Sequence, residues 1–171
     1  MESREKINGV QRMQDYIEEH INDNITLKML ARASGYSPWY CSRIFKEMVG
    51  KTPFEYIRMV RLSQAALKLR DENAKVIDVA FDFVFDSHEG FTRAFSKQFG
   101  VSPYKFRKTT PPIKIFMPER IRDYCLNKQK GEGNMAKNSN ANTVFVQVVD
   151  RPARKLMLKR GIKATHYFEY C

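Results

Sequence analysis

The chain has 171 residues, and its 30 Lys and Arg against 19 Asp and Glu give a formal charge of +11. An apolar content of 43% with 12% aromatic residues is enough for a packed core and excludes wholesale disorder. No run approaches the ~18 uncharged apolar residues of a membrane helix. The start, MESREKINGV, lacks a signal-peptide core, so no membrane partner is expected and the expected location is cytoplasmic.

Cys41, Cys125 and Cys171 are too few and too scattered for a disulfide framework. With His20, His88 and His166 they show no metal-ligand spacing, so no metal, cofactor or catalytic set is nominated, and an enzyme is not expected. The basic excess is shared between residues 1–110 and 111–171 rather than confined to one tail. Such a balance favours polyanions such as nucleic acid.

Residues 8–108 alternate helical patterns with short turns. Thr26 is a plausible N-cap for a short helix with Leu27, Leu30 and Ala31 on one face. Gly35 supplies a turn residue able to take a positive φ. Ser37 and Pro38 open a second helix, which Gly50 ends. Cys41, Ile44, Phe45 and Met48 form its apolar stripe, and Trp39, Ser42, Arg43 and Lys46 share another face. From Pro53, residues Phe54, Ile57, Val60, Leu62, Ala65, Ala66 and Leu69 recur at helical spacing. One helix over 53–70 would span about 27 Å.

The stretch 76–103 repeats 25–53. Ser37, Arg43, Phe45, Gly50 and Pro53 recur fifty residues later as Ser87, Arg93, Phe95, Gly100 and Pro103. Before the turn the offset is one less, pairing Leu30 with Val79, Ala31 with Ala80 and Tyr36 with Phe85. Short helix, tight turn and longer helix, twice over, predict an all-α domain of two helix-turn-helix units joined by a long helix. The rod between them can hold two recognition helices ~34 Å apart, one turn of B-DNA.

The recognition helices are placed at about 38–49 and 88–99. Arg43 can bond guanine O6 and N7 with both arms of its fork, Ser42 can reach a base edge or phosphate, and Trp39 can cover a thymine methyl. Lys46, farther from the helix start, is assigned to phosphate. In the second helix Phe91, Ala94, Phe95 and Phe99 form the buried stripe, and His88, Glu89, Thr92 and Arg93 are the candidate contacts. Glu89 has an alternative role as an early acidic residue suited to a helix N-terminus.

Residues 111–142 read as a tail and flexible linker, Gly-, Asn- and Lys-rich over 128–142. Within 143–171, TVFVQVVD and RPARKLMLKRG read as two strands with a turn at Asp150–Pro152, a short β segment. Two strands make no independently stable sheet, so this piece is read as the opening of a truncated domain.

The stretches LKMLARASGYSPWYCSRIFKEMVGKTPFEYIRMVRL and VIDVAFDFVFDSHEGFTRAFSKQFGVSPYKFRK resemble the DNA-binding domain of AraC/XylS-type bacterial transcription regulators. The resemblance implies seven helices and two recognition helices in successive major-groove segments. It implies contacts from the positions of Trp39, Ser42, Arg43, His88, Glu89, Thr92 and Arg93. It implies activators that recruit RNA polymerase to promoter DNA. Two positions depart from the family pattern: Val84 stands where a glycine is usual, and Gly90 lies inside the second recognition helix. Val84 is therefore expected in a conformation that a β-branched residue tolerates. The segment TVFVQVVDRPARKLMLKRG is similar to the opening strands of a GyrI-like small-molecule-binding domain, which implies a small-molecule effector only in a full-length form. The resulting expectation is a sequence-specific double-stranded DNA-binding regulator. The competing readings are a non-specific nucleic-acid binder and a small-molecule sensor whose ligand domain is truncated.

Overall fold

A computed structural model describes residues 2–72, 74–129 and 143–144. Its first seven helices are α1 (Glu2–Glu19), α2 (Leu27–Ser34), α3 (Pro38–Val49), α4 (Pro53–Asp71), α5 (Val76–Asp82), α6 (His88–Phe99) and α7 (Pro103–Thr109). Their boundaries are written in local chemistry. Thr26, Ser37, Thr52, Ser87 and Ser102 sit in extended backbone, and each accepts from the N–H three residues on. Pro38, Pro53 and Pro103 take first-turn positions, where a missing N–H costs nothing.

The repeat holds in three dimensions. Leu30 and Val79, Phe45 and Phe95 are fully buried pairs at equivalent positions. Gly50 and Gly100 end α3 and α6 with φ of 75° and 71°. Gly35 ends α2 at φ 79°, and the Tyr36 N–H closes the turn on the Ala31 carbonyl. The Phe85 N–H closes on the Ala80 carbonyl in the same way. The residue between them, Val84, has φ 59°. The expectation that Val84 avoids a glycine-like conformation is therefore corrected. The helix end, not the side chain, dictates this backbone, and a β-branched residue is held in the left-handed region.

Among the described residues, two apolar clusters form the core. The first takes residues from α1, α2, α3 and the start of α4, including Val10, Met13, Ile17, Leu30, Phe45 and Ile57. The second takes the end of α4 with α5, α6 and α7, including Leu69, Val79, Phe91, Phe95 and Phe106. Helix α4 serves both. Tyr56, Ile57 and Val60 enter the first cluster, and Leu62, Ala65, Ala66 and Leu69 enter the second. At about 100° per residue these two sets lie on roughly opposite sides of the helix. Periodicity names the helix but misplaces one member: Phe54 is 49% exposed, and Tyr56 is buried instead. Met48, Ala94 and Phe99, expected in the buried stripes, are half-buried.

Residues 111–142 are not wholly a tail. Ile113 and Ile115 are buried in the second cluster, and Phe116 and Ile121 in the first. Ile115–Phe116 form strand β1, and Ile121–Gln129 form helix α8. The low apolar content of 128–142 says nothing about the four apolar residues that precede it. Strand β2, Thr143–Val144, pairs antiparallel with β1, Ile115 opposite Val144. The remainder of the expected β segment, the linker over 130–142 and the GyrI-like similarity beyond Val144 lie outside the described residues.

Candidate nucleic-acid interface

Helix α3 divides as its spacing predicts. Cys41, Ile44 and Phe45 are buried. Cys41 packs its sulfur against Met13, and burial pushes its thiol pKa up, so it is core rather than a reactive group. The opposite side presents Trp39, 70% exposed, with Arg43 and Lys46 exposed and Ser42 half-buried. The Arg43 guanidinium carbon lies 5.6 Å from the Trp39 ring centroid. A guanidinium over an indole face is held by cation–π attraction while its N–H fork stays free at the edge. Among the described residues, this pair unites an exposed aromatic, a planar donor set and a position in the first turns of a recognition helix.

Helix α6 buries Phe91 and Phe95 and exposes His88, Glu89 and Arg93. Its N-terminus is closed by Ser87, whose Oγ accepts from the Gly90 N–H at 3.0 Å. A Cβ on Gly90 would come 3.1 Å from that oxygen, so glycine spares the cap some crowding. Thr92 is half-buried, and its Oγ1 is buried without a hydrogen-bond partner. In this rotamer the hydroxyl is turned away from solvent, and a χ1 rotation is required before it can meet a ligand. The predicted residues therefore fall into two clusters: Trp39, Ser42, Arg43 and Lys46 on α3, and His88, Glu89, Thr92 and Arg93 on α6.

Sequence reasoning missed one surface. Helix α5 exposes Ile77 (45%) and Phe81 (55%) beside the exposed carboxylates Asp78 and Asp82. The equivalent positions of α2 carry Lys28, Met29 and Arg32. Aligning the repeat at its first offset reveals that inversion from basic to acidic-apolar. Asp82 is held by Lys68 at 2.9 Å, and Asp78 stands in solvent.

Two helix-turn-helix units on one shared helix, each with a polar face on its second helix, define a tandem DNA-binding domain. A family model described as a helix-turn-helix domain matches residues 30–109. The probable transcription factor PqrA of Proteus vulgaris is 41% identical over 98 residues, covering 56% of this chain and 80% of PqrA. The right origin-binding protein of Escherichia coli K12 is 36% identical over 117 residues, which is 67% of this chain but 40% of that protein. The chain thus spans less than half the length of this relative. The C-terminal domain of AraT, a response regulator from Geobacillus stearothermophilus, is similar with a TM-score of 0.56 at 28% identity, over 65% of this chain and 92% of that one. The chain belongs to the AraC/XylS-type family of helix-turn-helix transcription regulators.

Proposed function

We propose that this protein is a sequence-specific double-stranded DNA-binding transcription regulator that lays α3 and α6 into successive major-groove segments. The observation that carries the reading is the cation–π pair of Trp39 and Arg43, standing on α3 opposite its buried stripe. Base readout is assigned to Arg43, Ser42 and Trp39 in the first unit and to His88, Glu89, Thr92 and Arg93 in the second. Lys46 is assigned to phosphate. The formal charge of +11 supplies the sequence-independent attraction on which readout is superimposed.

Activation is assigned to a contact with RNA polymerase through the outer face of α5. A first helix that lies near phosphates does not gain from exposed carboxylates, whereas Ile77, Asp78 and Phe81 together suit a basic, partly apolar protein surface. Replacing Ile77, Asp78 and Phe81 together by Ala is expected to leave operator affinity unchanged and abolish activated transcription in a purified system.

The direct test is selection of duplexes from a random library at about 150 mM salt, where phosphate attraction is partly screened. Two short motifs centred about 10 base pairs apart are expected. Failure to enrich any motif, with binding that vanishes as salt rises, would overturn the reading in favour of a non-specific binder.

A further inference from the structure

We infer that the segment 113–122 is a spacing-setting strap: it locks the two helix-turn-helix units at one relative orientation and thereby fixes which half-site separation the protein accepts. The inference rests on the proposed two-unit DNA reading. Neighbouring residues on a strand point to opposite faces. In β1 this sends Ile115 into the second cluster and Phe116 into the first. Ile113 joins the second cluster and Ile121 the first. The strap therefore crosses the junction between units, where otherwise α4 is the principal shared element.

Hydrogen bonds and ring contacts anchor the strap to α4 and α1. The Phe116 N–H donates to the Ser63 Oγ at 2.9 Å, midway along α4, where that helix changes its buried side. The Phe116 ring meets Tyr56 edge to face at 5.5 Å. The first N–H groups of α8 are capped from α1: Ile121 donates to the Gln14 Oε1 at 2.9 Å and Arg122 to the Gln11 Oε1 at 3.2 Å. The Gln14 amide donates in turn to the Glu119 carbonyl at 3.0 Å and to the Tyr56 hydroxyl at 3.3 Å. Gln11 and Gln14 are 2% and 5% exposed. Gln11 also donates to the Asp15 Oδ1 at 2.8 Å, and the strap supplies the partners of both glutamine carbonyls, which burial would otherwise leave costly. Removing the strap's contacts would leave α4, a single helix free to bend and twist, to set the angle between α3 and α6.

DNA makes that angle measurable. One added base pair moves the second half-site by about 3.4 Å and turns it by about 35° around the duplex. The test uses the full chain and duplexes carrying both selected motifs at the selected separation, or one base pair closer or farther. The parent is expected to prefer the selected separation by about tenfold, comparable to one mismatched base pair. Phe116→Ala and the milder Ser63→Ala are expected to reduce that preference to about twofold or less, while the affinity for a duplex with one motif and the base preference within each motif stay unchanged. A purely structural role would lower the folded fraction without moving the spacing preference of the folded protein, so both variants are assayed below their unfolding transitions. A folded variant that keeps the parent's tenfold discrimination would overturn the strap. A parent that enriches only one motif would remove the two-unit reading beneath it.

Discussion

At Arg43 the chemistry is decided by shape rather than charge. Its guanidinium carbon rests 5.6 Å from the Trp39 ring centroid, within cation–π range. Lysine keeps the charge and loses both the plane and the stacking. Arg43→Lys is therefore expected to retain most phosphate-driven affinity yet lose about 1–3 kcal/mol of preference at one base position, read in competition titrations against single-base operator variants. A variant with the parent's base preference would reassign Arg43 to the backbone. Lys46→Ala is expected to weaken all sequences alike and lower the salt slope by about one unit. Val84 states the opposite lesson, that a residue can sit where its own chemistry disfavours it. Its φ of 59° belongs to a helix-ending turn whose counterpart is Gly35 at 79°. Relief of left-handed strain outweighs the added chain entropy of glycine and the loss of a half-buried side chain. Val84→Gly should thus raise stability by roughly 1 kcal/mol, seen as a higher urea midpoint at unchanged slope. A lower midpoint would mean that packing of the Val84 side chain outweighs its backbone strain.

At the level of elements, caps were legible because they are local. Ser37, Ser87, Gly50 and Gly100 announce their helices within four residues of sequence, so the repeat could be found without any knowledge of packing. Which residues of α4 turn inward was only partly legible. Phe54 and Tyr56 are both aromatic and both near the helix start, and only the position of the first cluster decides between them. The strap was illegible for a different reason. Ile115 and Phe116 belong to two different clusters, and the strap groups that pair with Gln11 and Gln14 lie over a hundred residues away, so no local pattern marks them. On the candidate interface, α3 was read correctly as two-faced, while the buried hydroxyl of Thr92 depends on a rotamer that spacing cannot specify. The cap of α4 carries a pH signature. Glu55 accepts from the Thr52 backbone N–H at 2.8 Å and from its hydroxyl at 2.8 Å, and these bonds hold its carboxyl below the ordinary range. A depressed native pKa stabilises the fold above the ordinary carboxylate range, and that stabilisation is lost as pH falls through the native value. Glu55→Ala should consequently be less stable than the parent near neutrality, with the gap closing toward acid, in parallel urea titrations across pH. A gap independent of pH would show that the loss is one of helix packing rather than of the ionised cap.

At the scale of the molecule, the described residues form two cores strung on one helix, and their cooperativity follows from how they are joined. Phe95 is fully buried at the centre of the second cluster, with ring centroids 4.7, 5.6 and 5.7 Å from Phe99, Phe91 and Phe106. Phe95→Ala removes that hub and should cost about 3–5 kcal/mol. The loss does not fall evenly. The first cluster uses the opposite side of α4, and its members from α1, α2 and α3 belong to a separate core from Phe95. Among the described residues, the strap and α4 are then the main routes by which unfolding of the second unit can reach the first. In the parent, both routes are intact and a single cooperative transition is expected. In Phe95→Ala, native-state hydrogen exchange should show the amides of α5, α6 and α7 opening together at lower free energy, while those of α1 and α3 keep the protection they have in the parent. Adding Ser63→Ala, which frees the Phe116 N–H from α4, should widen the separation between the two groups. Equal loss of protection in both units would mean that α4 propagates disorder along its length, and that the two recognition helices are stabilised as one body whatever the strap does.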